Sequence, residues 1–122
     1  MSATIVKMTS SRKPKRYSPR GLCLVAGTTV AGTRHVPGVE ELARSYEPGA
    51  RFVFERDKDN IYDEWAVRVY DACRHRIGYV SCECNEVVAR LMDGGKRVFG
   101  CFEGVSQVEN WTRIEMGVYL DD

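Results

Sequence analysis

The chain has 122 residues, of which 43% are hydrophobic and 29% are charged, and its formal net charge is +1. That length is typical of one domain with a single hydrophobic core. The sequence contains no apolar run near the roughly 18 residues that a membrane span needs. The basic N-terminus also lacks the apolar stretch of a secretory signal. We therefore expect a cytoplasmic protein without membrane attachment.

The small net charge conceals an uneven distribution along the chain. Residues 1–21 hold six basic residues and no acidic one, whereas the remaining residues hold twelve basic and seventeen acidic ones. This distribution predicts a flexible basic arm, residues 1–21, attached to a single acidic domain, residues 22–122. Within the arm, we expect Lys13, Lys15 and Arg16 to contact nucleic-acid phosphates. The alternatives are a solubilising tail, or an arm that folds back on the acidic domain.

The chain from residue 22 onward predicts six short strands. Apolar or alternating runs recur along it, and they are Leu22–Ala26, Arg51–Glu55, Ala66–Tyr70, Arg76–Val80, Lys96–Glu103 and Thr112–Leu120. Glycines after the first run favour a bend or a β-bulge. The third and fourth runs are expected to pair as a hairpin, in which Tyr79 shares a strand face with Ile77.

Two short helices are predicted between the strands. The first covers Val39–Tyr46 and ends before Pro48, because proline and the glycine after it stop a helix. The second covers Asn85–Asp93, where Asn85 is expected to cap the free N–H groups and Gly94-Gly95 to provide a left-handed exit.

This order of elements indicates the fold class. Strands and helices do not alternate regularly, so a mainly antiparallel sheet is expected rather than a parallel one. Six short strands in a chain of this size tend to curl into a small barrel or half-barrel. The prediction is therefore a mainly β fold with two short helices.

The five cysteines do not indicate a metal site or a disulfide framework. Their number is odd and their spacing irregular, and Cys82-x-Cys84 is one residue short of a zinc-binding arm and has no second arm. We expect no metal, and thiols that are reduced and mostly buried.

No residue pattern indicates catalysis. The chain has only two histidines, His35 and His75, and neither accompanies a recognisable partner motif. Gly94-Gly95-Lys96 lacks the first glycine and the Ser/Thr of a phosphate-binding loop, and it follows a helix instead of preceding one. We therefore expect a protein that is not an enzyme and needs no cofactor.

The most informative segment is the polar stretch between the second and third predicted strands. Asn60, Tyr62 and Asp63 lie there between two apolar runs, so a ring and a carboxylate are expected beside a sheet. Barrel modules hold single strands with such exposed rings while basic residues contact the phosphates. Tyr79 and Trp111 are further candidate rings, whereas Trp65 keeps step with the next strand and is expected in the core.

Three features together resemble the HIRAN domain: the segment Arg56–Val69, the run Ile77–Val80 and the stretch from Asn85 to Lys96. The resemblance extends from about Val25 to Phe102. It implies an OB-like barrel with two helices that binds nucleic acid.

The resemblance also implies a site. In the HIRAN domain of the best-known eukaryotic member, a matching pocket holds the 3′-hydroxyl end of single-stranded DNA. The resemblance assigns Asn60, Tyr62 and Asp63 to that pocket, and Trp111 to the place of a phenylalanine that stacks in the eukaryotic domain. We expect Tyr79 and Trp111 to flank the pocket. The alternative is that Asp59, Asn60 and Asp63 only stabilise the turn through hydrogen bonds to the backbone, and both roles can coexist.

Departures from the eukaryotic pattern bear on the ligand. Cys23 and Leu24 stand where an Arg-Tyr pair contacts the DNA strand, and Ile61 stands where a proline usually precedes Tyr-Asp. The chain looks closer to the small bacterial versions. A protein-interaction module with a purely structural loop is therefore the alternative to nucleic-acid binding, and the choice between DNA and RNA stays open.

Overall fold

The computed structural model describes residues 21–121. The predicted arm, residues 1–21, therefore lies outside the described residues except for Gly21, which begins the first strand. Six strands are present, and they are β1 (Gly21–Ala31), β2 (Arg51–Arg56), β3 (Val67–Tyr70), β4 (Arg76–Val80), β5 (Arg97–Val108) and β6 (Trp111–Asp121). Two α-helices, α1 (Val39–Arg44) and α2 (Asn85–Asp93), and a 3₁₀ turn (Thr33–His35) complete the described chain. No helix within residues 21–121 has the length and apolar character needed to cross a membrane.

The six strands form one closed barrel in the order β1-β4-β3-β2-β5-β6, and every pairing is antiparallel. The predicted hairpin is present as β3–β4, and the predicted antiparallel class is confirmed. The barrel closes because β1 pairs with β6 along most of its length and then turns to pair with β4 through Val30 and Ala31.

The core lies inside the barrel and beneath the two helices. Alternate residues of the strands point inward, and the largest fully buried ones are Phe52, Ile77, Ile114 and Met116. Tyr46, at the end of α1, packs edge-on against Phe52 with ring centroids 5.4 Å apart. Its hydroxyl donates to the carboxylate of Asp71 at 2.6 Å, so the end of α1 is fixed to the turn between β3 and β4.

A β-bulge in β4 separates two side chains that the sequence had placed together. Val69 pairs with Gly78 and Tyr70 pairs with Arg76, so Ile77 is the extra residue. Ile77 therefore points into the core, whereas Tyr79 and Arg76 both lie on the outer face. The prediction that Tyr79 shares a face with Ile77 was wrong because simple alternation does not hold across a bulge.

Gly78 makes this bulge possible. Its φ is +155°, and a Cβ built there would lie 2.3 Å from the carbonyl oxygen of Ala31. A side chain would thus force β1 away from β4 at the point where the barrel closes.

Two further expectations were wrong. Asn85 does not cap α2: the N-cap residue is Cys84, without a side-chain hydrogen bond, and Asn85 is buried inside the first turn. The thiols are not mostly buried, because Cys23, Cys73 and Cys82 are exposed and only Cys101 is fully buried. The bulges that shift the register of β1, and the turns that carry the other thiols, bring these cysteines to the surface.

We predict that Gly78→Ala destabilises the fold by about 2 kcal/mol or more, because the new Cβ meets backbone and the positive φ disfavours alanine. Urea unfolding at neutral pH measures this change. Gly104→Ala is the matched control, since a Cβ added to Gly104 would have no neighbouring atom within 4 Å. Equal unfolding midpoints for the two variants would contradict the role given to Gly78.

Candidate nucleic-acid interface

The polar segment forms a closed loop, residues 57–66, between β2 and β3. The N–H of Asp57 donates to the carbonyl of Ala66 at 3.0 Å, and this bond closes the loop where the two strands end. The loop therefore extends from the end of a strand pair and presents its tip to solvent.

Asn60 holds the tip of the loop. Its side-chain oxygen accepts hydrogen bonds from the N–H groups of Tyr62 at 2.8 Å and Asp63 at 3.0 Å. Asparagine forms such turns readily because its short side chain can mimic a backbone carbonyl. The expected structural role of Asn60 is thus present.

Asp63 connects the loop to α2. One carboxylate oxygen accepts the N–H of Trp65 at 2.9 Å, and the other accepts the side-chain amide of Asn85 at 2.8 Å. Asn85 is buried at the start of α2, so the helix determines where the Asp63 carboxylate lies. Asn85 stands inside the first turn of α2, and Cys84 occupies the N-cap position.

Arg56, the last residue of β2, stabilises the loop through its side chain. Its guanidinium donates to the carbonyls of Ala66 at 2.7 Å and Glu64 at 3.1 Å, and it also pairs with Asp93 at 3.0 Å. Loop and helix are therefore held together at both ends of α2.

Asp57 is the centre of the hydrogen-bond network. One carboxylate oxygen accepts the Asn60 amide at 3.2 Å and the Tyr79 hydroxyl at 3.1 Å, and the other pairs with Arg68 at 3.0 Å. The bond from Asn60 lowers the pKa of Asp57, and Tyr79, Arg68 and Arg76 lower it further, although burial opposes them. The carboxylate therefore stays ionised and connects loop to sheet.

The aromatic rings of the region differ in exposure. Tyr62 is 91% exposed at the loop tip, as the polar sequence around it predicted. Tyr79 is half-buried beside Asp57, and the Arg76 guanidinium lies 5.7 Å from its ring centroid. Trp65 packs against the core but is only partly buried. The Arg90 guanidinium lies 4.6 Å from its ring centroid. The prediction that Trp65 belongs to the core was therefore correct only in part.

The structure thus joins four of the candidate site residues, Asn60, Tyr62, Asp63 and Tyr79. Trp111 begins β6 at the hairpin tip, and its indole N–H donates to the hydroxyl of Thr33 at 3.1 Å. No hydrogen bond among residues 21–121 links Trp111 to the loop. The other three candidates, Lys13, Lys15 and Arg16, lie outside the described residues.

Sequence reasoning missed Asp57, Arg68 and Asn85 as parts of this region. Asp57 was visible in the polar segment, but its partners Arg68 and Tyr79 lie 11 and 22 residues further on. A buried carboxylate needs a positively charged or hydrogen-bonding partner. This requirement is the one signal that could have indicated a distant arginine. Among residues 21–121 no group of His, Cys, Asp or Glu is arranged to hold a metal ion.

The family model of the HIRAN domain matches residues 24–121. The chain belongs to the HIRAN domain family. No curated protein matches the chain significantly. Membership suggests a DNA-binding module.

Two solved structures are similar to this HIRAN chain. A protein from Lactobacillus plantarum has a TM-score of 0.71 and 25% sequence identity, covering 82% of this chain and 94% of its own. The HIRAN domain of human HLTF has a TM-score of 0.63 and 18% identity, covering 86% of this chain and 83% of its own. The similarity to the human HLTF domain, at 18% identity, is a similarity of fold alone.

We predict that the stabilising contribution of Asp57 disappears on acidification. A carboxyl with a pKa lowered by folding stabilises the fold above its unfolded pKa of about 3.9, and the contribution falls as pH drops through the folded pKa. Urea unfolding of the wild type and Asp57→Asn should show a difference at pH 7 that narrows at pH 3.

Asp59→Asn is the control for this prediction, because Asp59 is an exposed neighbour in the same loop. Its unfolding free energy should follow that of the wild type at both pH values. A difference between Asp57→Asn and the wild type that is the same at pH 7 and pH 3 would contradict the ionised role of Asp57.

Proposed function

We propose that the chain binds single-stranded DNA and holds a free 3′-hydroxyl end in a pocket formed by Asn60, Tyr62 and Asp63, with Tyr79 at its side. The observation that carries this proposal is the Tyr62 ring. It is 91% exposed, yet its backbone is fixed by Asn60 and by the braced loop. An exposed apolar ring on a rigid loop is suited to a ligand with a flat apolar face.

A nucleobase supplies such a face. Stacking of one base on an aromatic ring contributes about 1–3 kcal/mol. Because the loop is already ordered by internal hydrogen bonds, little conformational entropy is lost when Tyr62 stacks. Tyr79 offers a second ring, which Asp57 orients through the tyrosine hydroxyl.

Asp63 has the capacity to accept a sugar hydroxyl. A carboxylate provides about four acceptor positions, and internal hydrogen bonds from Trp65 and Asn85 use two of them. The structural role of Asp63 therefore leaves room for a ligand.

The charge around the loop favours a hydroxyl end over a phosphate end. Asp63 is followed directly along the chain by Glu64, whose side chain is exposed. A terminal phosphate there would meet like charges, whereas a hydroxyl can donate a hydrogen bond.

The proposed pocket does not require the other predicted site residues, which are one aromatic ring and the basic residues of the N-terminal arm. Trp111 is an outlying ring near Thr33, and Lys13, Lys15 and Arg16 would add contacts to phosphates without sequence preference. Both stay predictions. The proposed activity is binding, with no reaction of its own.

A protein-interaction module is the second candidate function. Ile61 is 85% exposed and Val87 on α2 is 56% exposed, so apolar side chains flank the Asp63–Asn85 connection. A partner protein that covers them would bind with little dependence on salt, whereas phosphate contacts weaken steeply as salt is added.

We predict that Tyr62→Ala weakens binding of single-stranded DNA by about 5- to 150-fold, the range that corresponds to the stacking energy of one base. Fluorescence anisotropy with a 5′-labelled oligonucleotide measures the affinity of the full chain. Ile61→Ala is the matched control, since it removes an exposed apolar neighbour without a ring. Equal losses in both variants would favour an apolar protein-docking loop.

We further predict that the full chain prefers a 3′-hydroxyl over a 3′-phosphate oligonucleotide, and that Asp63→Asn loses this preference. Asp59→Asn should keep most of it, because within residues 21–121 Asp59 makes no hydrogen bond to α2 or to the base of the loop. Urea unfolding checks that Asp63→Asn stays folded. A folded Asp63→Asn variant that still discriminates the two ends would remove Asp63 from the pocket.

A further inference from the structure

We propose that the DNA strand leaves the pocket across the outer face of β4 and β3, where Tyr79, Arg76, Tyr70 and Arg74 form a track for bases and phosphates. This inference rests on the proposed single-stranded DNA binding. It adds the path of the strand and the cations that contact its phosphates.

The first argument is the pairing of the basic residues. Within residues 21–121, eight of the twelve lysines and arginines form ion pairs with carboxylates. The four without an ion pair are Arg34, Arg74, Arg76 and Lys96. A cation without a carboxylate partner can take a phosphate without first losing an ion pair.

The second argument is that two of these four cations are interleaved with rings on one surface. Arg68 pairs with Tyr79 across β3 and β4, and Tyr70 pairs with Arg76. Arg76 lies over the Tyr79 ring at 5.7 Å, and its charge contributes to the lowered pKa of Asp57. Burial and the hydrogen bond to Glu55 raise the pKa of Tyr70, and the nearby charge of Arg76 opposes that rise. Arg76 is thus close to the pocket and to the next ring. The bulge at Gly78 creates this order by turning Arg76 and Tyr79 to the same face.

The third argument is the shape of the surface beyond Tyr70. An open groove of about 610 Å³ continues there, and its lining includes Val53, Tyr70 and Arg74. The turn that carries Arg74 is held by Asp71, whose carboxylate accepts the N–H groups of Cys73 and His75, each at 2.9 Å. Arg74 itself adopts φ +74°. The backbone position of Arg74 is therefore defined by the fold.

The acidic groups on this face are already engaged. Glu55 accepts the Arg68 guanidinium at 2.8 Å and the Tyr70 hydroxyl at 3.1 Å. Asp71 is buried and accepts the Tyr46 hydroxyl and pairs with His75. The track therefore alternates two rings with two free arginines, and the carboxylates beside it in the described chain already have partners.

The other two free cations lie elsewhere. Lys96 lies between α2 and β5, outside the β3–β4 pair that carries the track. Arg34 lies in the 3₁₀ turn next to Thr33, the residue that Trp111 contacts. A strand that left the pocket toward Trp111 would use Arg34, so Arg34 distinguishes that path from the proposed track.

The test is the salt dependence of binding by the full chain. The logarithm of the binding constant falls linearly with the logarithm of the salt concentration. We expect Arg76→Gln and Arg74→Gln each to make this slope less steep by about 0.7, the value for one phosphate contact of a single strand. Arg34→Gln and Lys96→Gln are the matched controls and should leave the slope unchanged. The probe is a single-stranded oligonucleotide of about 12 nucleotides with a 3′-hydroxyl, within the site size of an OB-type barrel.

Oligonucleotide length adds a second readout. With about 3 nucleotides at the same 3′ end, Arg74→Gln should bind like the wild type, because a short strand does not reach the groove, whereas Arg76→Gln should still weaken binding. A variant that combines Arg74→Gln and Arg76→Gln should still prefer a 3′-hydroxyl over a 3′-phosphate oligonucleotide, because neither substitution changes Asn60, Tyr62 or Asp63.

Two results would overturn the track. An unchanged slope in both arginine variants, with Tyr62→Ala still impaired, would reject the path and leave the pocket standing. A slope reduced in Arg34→Gln, together with weaker binding in Trp111→Ala, would direct the strand toward the β5–β6 hairpin instead. Absence of DNA binding by the full chain would overturn the track together with the proposed function.

Discussion

The carboxylate of Asp57 is the contact on which the proposed binding region depends. It lies at the junction of loop 57–66, β3 and β4, and it joins Asn60, Arg68 and Tyr79. Removing a buried charge from water is unfavourable unless donors surround it, and here three side chains do so. Because those donors come from different parts of the chain, satisfying one carboxylate also fixes the loop against the sheet.

The closure of the barrel determines which side chains accompany that junction. β1 can approach β4 closely because Gly78 has no side chain, and the resulting bulge exposes Tyr79 and Arg76 together. A regular strand would have turned one of them inward. The geometry needed to close a six-stranded barrel thus also produces the ring-and-arginine surface beside the pocket.

Sequence reasoning located the loop correctly, but it identified only some of the residues that form hydrogen bonds with it. Turn-stabilising hydrogen bonds to nearby N–H groups were expected of Asp59, Asn60 and Asp63, and the structure has them for Asn60 and Asp63. Asp59 makes no such bond within residues 21–121. Asn85 was read as a helix cap, which is its common local role. Its actual partner, Asp63, lies 22 residues earlier, and no local pattern reports a pairing at that separation.

The sequence by itself determined the mainly β class, the two helices and the polar loop, since these follow from local periodicity, turn residues and the preference of Asn and Asp for turns. Only the tertiary structure decided the facing of Tyr79 and Arg76, the partners of Asp57, and the arginines left without a carboxylate. Those features depend on strand register and on the bulge at Gly78, which arise when distant segments pack against one another.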